Sequence, residues 1–277
     1  MNVRVIFLFI GLVFIQQSIG YAATVDTVLT RSASMQKDIK AVIVKPASYD
    51  RSPQQRFPVV YLLHGYGGNF SSWIKEAEQI KEEADRYNML LVCPDGGFGS
   101  WYWDSPVDPA YRYETYVSKE LVNWVDQQYK TIASPLGRAI TGLSMGGHGA
   151  LYLALQHKDV FGAAGSMSGG VDIRPFPKKW DMEKRLGKYA DHKNTWEEHT
   201  VINLLHLAEP GKPAILVDCG TEDFFYEVNE RLHQELLYRK IQHDYTTRPG
   251  AHNWDYWSVA VRYQFLFMHQ FFQKKQP

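Results

Sequence analysis

The residues best suited to chemistry in this sequence are Ser144 and the glycines on either side of it. Ser144 is the centre of the pentapeptide Gly142–Gly146, which follows the β-prone run 138–141 and precedes the helix-forming run 150–155. A serine on so sharp a turn between a strand and a helix has a strained backbone and an exposed hydroxyl. Glycines flank it because a Cβ atom there would collide with the neighbouring strand or helix. The pattern predicts that Ser144 is a nucleophile, the alternative being a glycine-rich turn with an incidental serine.

A serine nucleophile needs a base, and the base needs an acid that holds its tautomer. In a strand–turn–helix arrangement of this kind the three come in the order serine, acid, histidine. Of the ten histidines, His252 is the one in a glycine-containing loop between the last predicted strand and the last predicted helix. The acid belongs after the predicted strand 213–219, where Asp223 is preferred and Glu222 and Asp218 are alternatives. Asp218 ranks lower because it still lies inside the strand.

A second glycine-rich turn follows a buried strand earlier in the chain. The apolar run 58–63 is of the fully buried kind and ends in His64-Gly-Tyr-Gly-Gly68. Glycines let backbone amides approach a substrate, and loops of this type supply one donor of an oxyanion hole. We therefore expect backbone N–H groups from Gly65 or Tyr66 and from Met145 to stabilise an oxyanion. An ordinary strand-to-helix turn is the alternative.

Aromatic residues are concentrated in the loop that follows the predicted strand 89–93. This loop includes Trp101, Tyr102 and Trp103 and lies at the end of the strand where open α/β sheets build active-site walls. Large apolar side chains are costly to expose without a purpose. Trp101 and Tyr102 are therefore candidate substrate-pocket residues, and packing of the loop against itself is the alternative.

The remaining periodicity predicts an α/β fold. Buried strands alternate with amphipathic helices, which favours a mostly parallel twisted central sheet with helices on both faces. Two initial strands predict an antiparallel edge. The predicted strands are 25–34, 37–45, 58–63, 89–93, 138–143, 161–168, 213–219 and 243–248, and the predicted helices include 71–87, 114–130, 225–240 and 257–270. The polar segment 171–212 breaks the pattern and is predicted to be a small cap-like insertion with helical pieces at 181–186 and 200–207.

Composition and charge narrow the function classes. The chain has 277 residues, 45% of them hydrophobic, and 30 basic against 30 acidic residues. That length and core content fit a single domain over residues 24–277, and the absence of a basic stripe argues against a nucleic-acid partner. No His or Cys cluster has metal-site spacing, so neither a metal nor a cofactor is expected. Cys93 and Cys219 are predicted to be buried free thiols.

The N-terminus reads as a targeting segment rather than as part of the fold. One basic residue, Arg4, precedes the apolar run 5–15, and small residues follow at Gly20 and Ala22. This arrangement is typical of a secretory signal peptide over residues 1–22. It predicts a secreted or periplasmic protein with no stable membrane anchor after cleavage. An uncleaved anchor is the alternative.

Taken together, the motifs resemble the esterase D family. The segments that carry the resemblance are Leu62–Gly65, Gly99–Tyr102, Gly142–Gly146, Cys219–Asp223 and Gly250–Trp254. The family includes S-formylglutathione hydrolases, tributyrin esterases, feruloyl and acetylxylan esterases of carbohydrate esterase family 1, and mycolyltransferases. The resemblance implies an α/β-hydrolase fold with Ser144, Asp223 and His252 as the triad. The loop 64–67 departs from that of the formylglutathione hydrolases, so a glutathione thioester is not the expected substrate.

The sequence therefore predicts a secreted serine carboxylesterase. The expected substrates are short-chain acyl, feruloyl or acetyl esters, either small molecules or linked to plant polysaccharides. An acyltransferase of the mycolyltransferase type is one alternative, since it uses the same triad. A catalytically inactive binding module on a hydrolase scaffold is another, from a different functional class. The sequence leaves the oligomeric state open.

Overall fold

The computed structural model describes residues 22–275. The predicted signal peptide, residues 1–22, lies outside the described residues except for its last position. Within residues 22–275, no helix combines the length and the apolar character that a membrane crossing requires.

A single twisted sheet of eight strands forms the centre of the described chain, in the order β1-β2-β4-β3-β5-β6-β7-β8. β1 and β2 pair antiparallel, and β2 runs antiparallel to β4. All the other pairs are parallel. The predicted mostly parallel sheet with an antiparallel edge is therefore confirmed. The strands are β1 (Thr24–Ser32), β2 (Lys37–Lys45), β3 (Val59–Leu63), β4 (Leu90–Pro94), β5 (Arg138–Leu143), β6 (Ala163–Met167), β7 (Ala214–Gly220) and β8 (His243–Arg248).

Helices cover both faces of the sheet, and the central strands β3, β4, β5 and β6 are therefore buried along their whole length. One face packs against α1, α2 and α9, and the other against α3 to α8. The helices are α1 (Ser72–Glu76), α2 (Ile80–Tyr87), α3 (Tyr113–Thr115), α4 (Val122–Gln128), α5 (Met145–Gln156), α6 (Met182–Leu186), α7 (Lys193–Glu198), α8 (Tyr226–Tyr238) and α9 (Trp254–Lys275). A π-helical stretch, Tyr116–Leu121, joins α3 to α4, and 3-10 turns occupy Pro135–Gly137 and Val201–Leu207.

Several helix predictions need correction. The single helix predicted over 71–87 is two helices, because Ala77 leaves the helical region with φ −141° and ψ 59°. The helix predicted over 114–130 contains a π-helical segment, which periodicity alone does not reveal. The last helix begins at Trp254 rather than Trp257. In the insertion, α7 was not predicted, whereas α6 and the 3-10 turn fall on the predicted helical pieces.

The two cysteines are free and buried, as predicted. Cys93 lies on β4 and Cys219 on β7, and β3, β5 and β6 separate these two strands in the sheet. Burial raises the pKa of the Cys93 thiol to about 12, so the thiol stays protonated and unreactive.

Candidate active site

Ser144 occupies a strained turn between β5 and α5. Its φ of 55° and ψ of −117° lie in a region that residues with a side chain rarely adopt. A Cβ atom on Gly142 would come within 2.6 Å of the Gly146 carbonyl carbon, and one on Gly146 within 2.6 Å of the Leu63 carbonyl oxygen. Glycine is therefore required at both positions. The Ser144 amide donates to the Met167 carbonyl at 2.8 Å, which ties the turn to β6.

Ser144, His252 and Asp223 form a continuous hydrogen-bonded chain. The His252 Nε2 lies 2.9 Å from the Ser144 Oγ. The other ring nitrogen, Nδ1, lies 2.8 Å and 3.0 Å from the two carboxylate oxygens of Asp223. The Asp223 side chain is fully buried and also accepts the Phe225 amide at 2.8 Å. An N–H on Nδ1 leaves the Nε2 lone pair free to accept the serine proton.

Neither of the two alternative acids contacts His252. Asp218, on β7, accepts two hydrogen bonds from Arg248, at 2.9 Å and 3.0 Å, and a third from the Tyr256 hydroxyl at 2.5 Å. Burial raises the Asp218 pKa, although these donors oppose the shift. The Glu222 side chain is exposed on the turn after β7. Of the three candidates, only Asp223 reaches His252.

The predicted oxyanion-hole amides border Ser144. Gly65 packs so closely on the turn after β5 that an added Cβ would lie 2.6 Å from Leu143 Cδ1. The Met145 amide is the first of α5, and amides in a first helical turn have no intrahelical acceptor. Gly65 and Tyr66 line the cleft beside the serine. The structure thus places Gly65 and Tyr66 beside Ser144 in the cleft and Met145 directly after it, and the role of their amides stays a prediction.

His64 is a positioning residue that the sequence reasoning missed. Its Nδ1 donates to the Gly65 carbonyl at 2.8 Å, and its Nε2 accepts the Gly96 amide at 2.7 Å. Burial lowers the His64 pKa, so the ring is neutral and can donate and accept at once. The Tyr102 hydroxyl also bonds to the His64 carbonyl at 3.0 Å. The only sequence signal was a histidine at the end of a fully buried strand.

Trp101 and Tyr102 do not form the substrate pocket, contrary to the prediction. Their side chains are 1% and 0% exposed and lie in the core beneath the cleft. Trp101 stacks on Trp103 and donates its indole N–H to the Trp180 carbonyl at 3.0 Å. Both residues have left-handed backbones, with φ of 57° and 62°. Packing of the loop, the alternative interpretation, is what the structure shows.

Other aromatic side chains build the cleft above Ser144, which has a volume of about 500 Å³. Phe224 packs on the His252 ring at 4.1 Å between centroids, and Trp180 stacks on Phe224 at 5.6 Å. Tyr66, Trp254 and Trp257 also line the cleft, together with the polar side chains of Ser72 and Glu76. Sequence reasoning missed these aromatics because they come from four separate segments of the chain.

The insertion between β6 and β7 supplies one wall of this cleft. It contributes Trp180, and the next residue, Asp181, accepts a hydrogen bond from the Tyr66 hydroxyl at 3.3 Å. The buried Arg185 anchors the insertion by donating to Asp108 at 2.9 Å and to the Gly99 carbonyl at 3.2 Å. The segment predicted to be cap-like is thus fixed to the loop that follows β4.

A second buried histidine, His148 on α5, joins the serine turn to the aromatic loop. Its Nδ1 donates to the Gly170 carbonyl and its Nε2 accepts the Trp103 indole N–H, both at 2.9 Å. Burial lowers its pKa to about 3. Neither this histidine nor others form a metal centre: among the described residues, no group of three or more His, Cys, Asp or Glu side chains has the geometry to hold a metal ion.

Comparison with known proteins places the chain in a family. The Esterase family model matches residues 32–268. The acetyl esterase of Caldicellulosiruptor saccharolyticus is 27% identical over 228 residues, which are 77% of this chain and 84% of that enzyme. A solved ferulic acid esterase superposes with a TM-score of 0.78 at 26% identity and covers 91% of this chain and 100% of its own.

A third relative is named for acyl transfer rather than for ester hydrolysis. The diacylglycerol acyltransferase/mycolyltransferase Ag85A of Mycobacterium bovis is 34% identical over 150 residues. The match covers 51% of this chain and 41% of that protein, so the chain spans less than half of that relative's length. Since the family model spans nearly the whole described chain, and the sheet is that of the α/β-hydrolase-fold esterases, the chain belongs to the Esterase family and is a serine esterase.

Proposed function

We propose that Ser144, His252 and Asp223 are a catalytic triad that hydrolyses short-chain acyl or aromatic acyl esters. The observation that carries the proposal is the hydrogen-bonded chain from the Ser144 Oγ through His252 to Asp223, at 2.9 Å and 2.8 Å. This chain opens onto the aromatic cleft. Nucleophile, base and orienting acid are therefore in mutual reach without any movement of the backbone.

The steps follow from this geometry. His252 takes the Ser144 proton as the hydroxyl attacks the ester carbonyl, and Asp223 stabilises the imidazolium that forms. The oxyanion is held by the Met145 amide and by an amide of Gly65 or Tyr66, each worth about 3 kcal/mol in the transition state. His252 then protonates the leaving alcohol. Water, activated by the same histidine, hydrolyses the acyl-enzyme.

Two observations support acetyl and feruloyl esters as substrates. The relatives named above include an acetyl esterase and a ferulic acid esterase. The cleft walls of Phe224, Trp180, Trp254 and Trp257 suit a flat aromatic acyl group, which packs well against aromatic faces. Esters on plant polysaccharides belong to this proposal, as does export of the protein, which the signal-peptide pattern in residues 1–22 supports.

Acyl transfer to a sugar is the second candidate, favoured by the 34% identity to a mycolyltransferase. The acyl-enzyme is common to both reactions, and only the acceptor differs. Product analysis with and without a sugar acceptor separates them. Acylated sugar formed in preference to free acid would favour transfer.

The test of hydrolysis is a substrate panel with a Ser144→Ala variant. Purified protein should cleave 4-nitrophenyl acetate, methyl ferulate or acetylated xylan. Ser144→Ala should lower kcat by about 10⁴-fold or more on every active substrate, since the nucleophile is lost. Ser258→Ala, an exposed hydroxyl on α9, is the matched control. Inactivity of the parent protein on the whole panel, or a wild-type rate in Ser144→Ala, would overturn the proposal.

A further inference from the structure

Glu76 gives the cleft above Ser144 its negative charge. Among the described residues that line this cleft, Glu76 is the one acidic side chain, and none is Lys or Arg. The other lining residues are glycines, apolar and aromatic residues, Ser72, Ser144 and His252. A substrate entering the cleft therefore meets one carboxylate with no compensating cation on the walls.

Glu76 has no evident structural role. It is the last residue of α1, and a carboxylate is unfavourable at the C-terminal end of a helix. Within residues 22–275 it makes no hydrogen bond or ion pair. Nearby carboxylates differ: Glu78 pairs with Lys81 at 3.7 Å, and the buried Glu83 pairs with Arg86 at 3.4 Å. No partner within the described residues accounts for the position of Glu76, and its side chain lines the cleft.

The surroundings strengthen the field of this carboxylate. Asp223, which is fully buried, adds a second negative charge behind His252. Glu76 is itself exposed to solvent, but aromatic walls adjoin it on the cleft side, and clefts lined by one sign of charge focus the potential. The Debye length is about 8 Å at physiological ionic strength, so a substrate charge bound within that distance of the Glu76 carboxylate is not fully screened.

We propose that Glu76 is a specificity-determining residue that selects against esters carrying negative charge. The substrate class is then an ester whose acid and alcohol are both uncharged or cationic. A hydroxyl-bearing neutral alcohol fits best, because its O–H groups can donate to the carboxylate. This inference rests on the proposed function, since it concerns the substrate of the same site.

Three aryl acetates test the inference, because they share the acetyl group and differ in the charge of the alcohol. They are methyl 4-acetoxybenzoate (neutral), 4-acetoxybenzoate (anionic) and 4-acetoxyphenyl-trimethylammonium (cationic). The measured quantity is the ratio of kcat/KM for each charged ester to that for the neutral ester. Comparing this ratio between variants cancels the intrinsic reactivity of the esters. In Glu76→Gln the anionic ratio should rise by about fivefold and the cationic ratio should fall by a similar factor.

A control and a charge reversal make the test specific. Glu78→Gln removes an equal charge two residues away, outside the cleft, and should leave both ratios within about twofold. Glu76→Lys doubles the change in charge and should raise the anionic ratio by more than Glu76→Gln does. At about 1 M salt, where the Debye length is about 3 Å, the differences between variants should shrink.

The outcomes separate this inference from the proposed function. Hydrolysis of all three esters with ratios unchanged in Glu76→Gln and Glu76→Lys would overturn the role of Glu76 and leave the triad standing. An equal shift in Glu78→Gln would also overturn it, because the effect would then be one of net charge. No hydrolysis of any ester by the parent protein would overturn the proposed function and the inference with it.

Discussion

The active-site region is built in two ways, and the contrast separates chemistry from substrate selection. The proposed reactive groups lie on short turns at the ends of β3, β5, β7 and β8. Two long segments, 95–112 and 171–212, pack around the site, and Trp180 is the one residue that they place on the described cleft wall. In the turns, strand ends and glycines place the backbone. In the long segments, side-chain packing holds residues in left-handed conformations, as in Trp101, Tyr102, Trp180 and Asp181.

This difference suggests separate roles for the two regions. The turns hold the proposed triad to within hydrogen-bond distance and tolerate little change, because backbone atoms crowd Gly142 and Gly146. The long segments contribute Trp180 to the cleft but none of the proposed triad atoms. Changes in the turns should therefore abolish turnover, whereas changes in the long segments should alter which ester is preferred.

The largest effect is expected from Asp223, which has a natural control in Asp218. Asp223→Asn should lower kcat by about 10⁴-fold, because the amide favours the wrong tautomer of His252. Asp218→Asn should keep kcat within about tenfold, since Asp218 bonds to Arg248 and Tyr256 instead. Steady-state kinetics on a short 4-nitrophenyl ester measures both. The reverse order of effects would mean that the acid is wrongly assigned.

A large effect on stability is expected from His148, which joins the two regions. Its pKa is about 3 in the folded protein and about 6.5 when unfolded, so below pH 6.5 the unfolded state binds more protons. The neutral His148 ring therefore makes its full contribution to the free energy of unfolding above about pH 6.5. It is lost as the pH falls toward 3, by about 3 kcal/mol between pH 7 and pH 4.

Urea unfolding across this pH range checks the prediction. His148→Gln should be less stable at pH 7, because two buried hydrogen bonds change, yet it should lose less stability on acidification. Some pH dependence of the stability should remain in this variant, because it keeps His64, whose pKa is also lowered by burial. A pH profile parallel to that of the parent protein would contradict the role of His148.

A smaller effect, on selectivity, is expected at the wall formed by the insertion. Trp180 stacks on Phe224 and narrows the cleft, so Trp180→Ala should raise kcat/KM for an octanoyl ester relative to an acetyl ester by about tenfold. Trp124→Ala, a half-buried aromatic on α4 that packs on Tyr129, is the control. An unchanged ratio would show that the insertion does not limit the acyl group.

The smallest effect is expected where the two regions touch. The hydrogen bond from the Tyr66 hydroxyl to Asp181 is 3.3 Å long and partly exposed. Asp181→Ala should lower kcat by about two- to threefold, because the loop that carries the proposed oxyanion amides is held less firmly. The double variant Asp181→Ala/Tyr66→Phe should lose no more activity than either single variant. Additive losses would mean that the two residues act independently.

The turns could be predicted from sequence because their requirements are local. A buried strand, a glycine turn and a helix follow one another in the chain, so Ser144 as a candidate nucleophile and the turn after β3 as a candidate oxyanion loop are identified by pattern alone. The acid and base follow from strand order. Choosing Asp223 over Asp218 also had a local basis, since Asp218 is inside β7. The structure adds that the Asp218 carboxylate accepts hydrogen bonds from Arg248 and Tyr256.

The long segments could not be predicted because distant contacts fix their conformation. Trp101 points inward since its indole meets Trp180, which lies 79 residues away in the chain. His64 holds its own loop in place through a hydrogen bond from the Gly96 amide, which lies after β4 rather than after β3. Neither contact leaves a periodic or compositional trace, so aromatic content alone could not separate a pocket wall from loop packing.

The most direct test of the central claim is labelling with a fluorophosphonate, followed by peptide mass spectrometry. The probe phosphonylates a serine activated by a neighbouring base. The account predicts one label per chain, on the peptide that contains Ser144, and near-complete loss of labelling in His252→Ala. A label on another serine, or none on a folded protein, would contradict the assignment of Ser144 as the nucleophile.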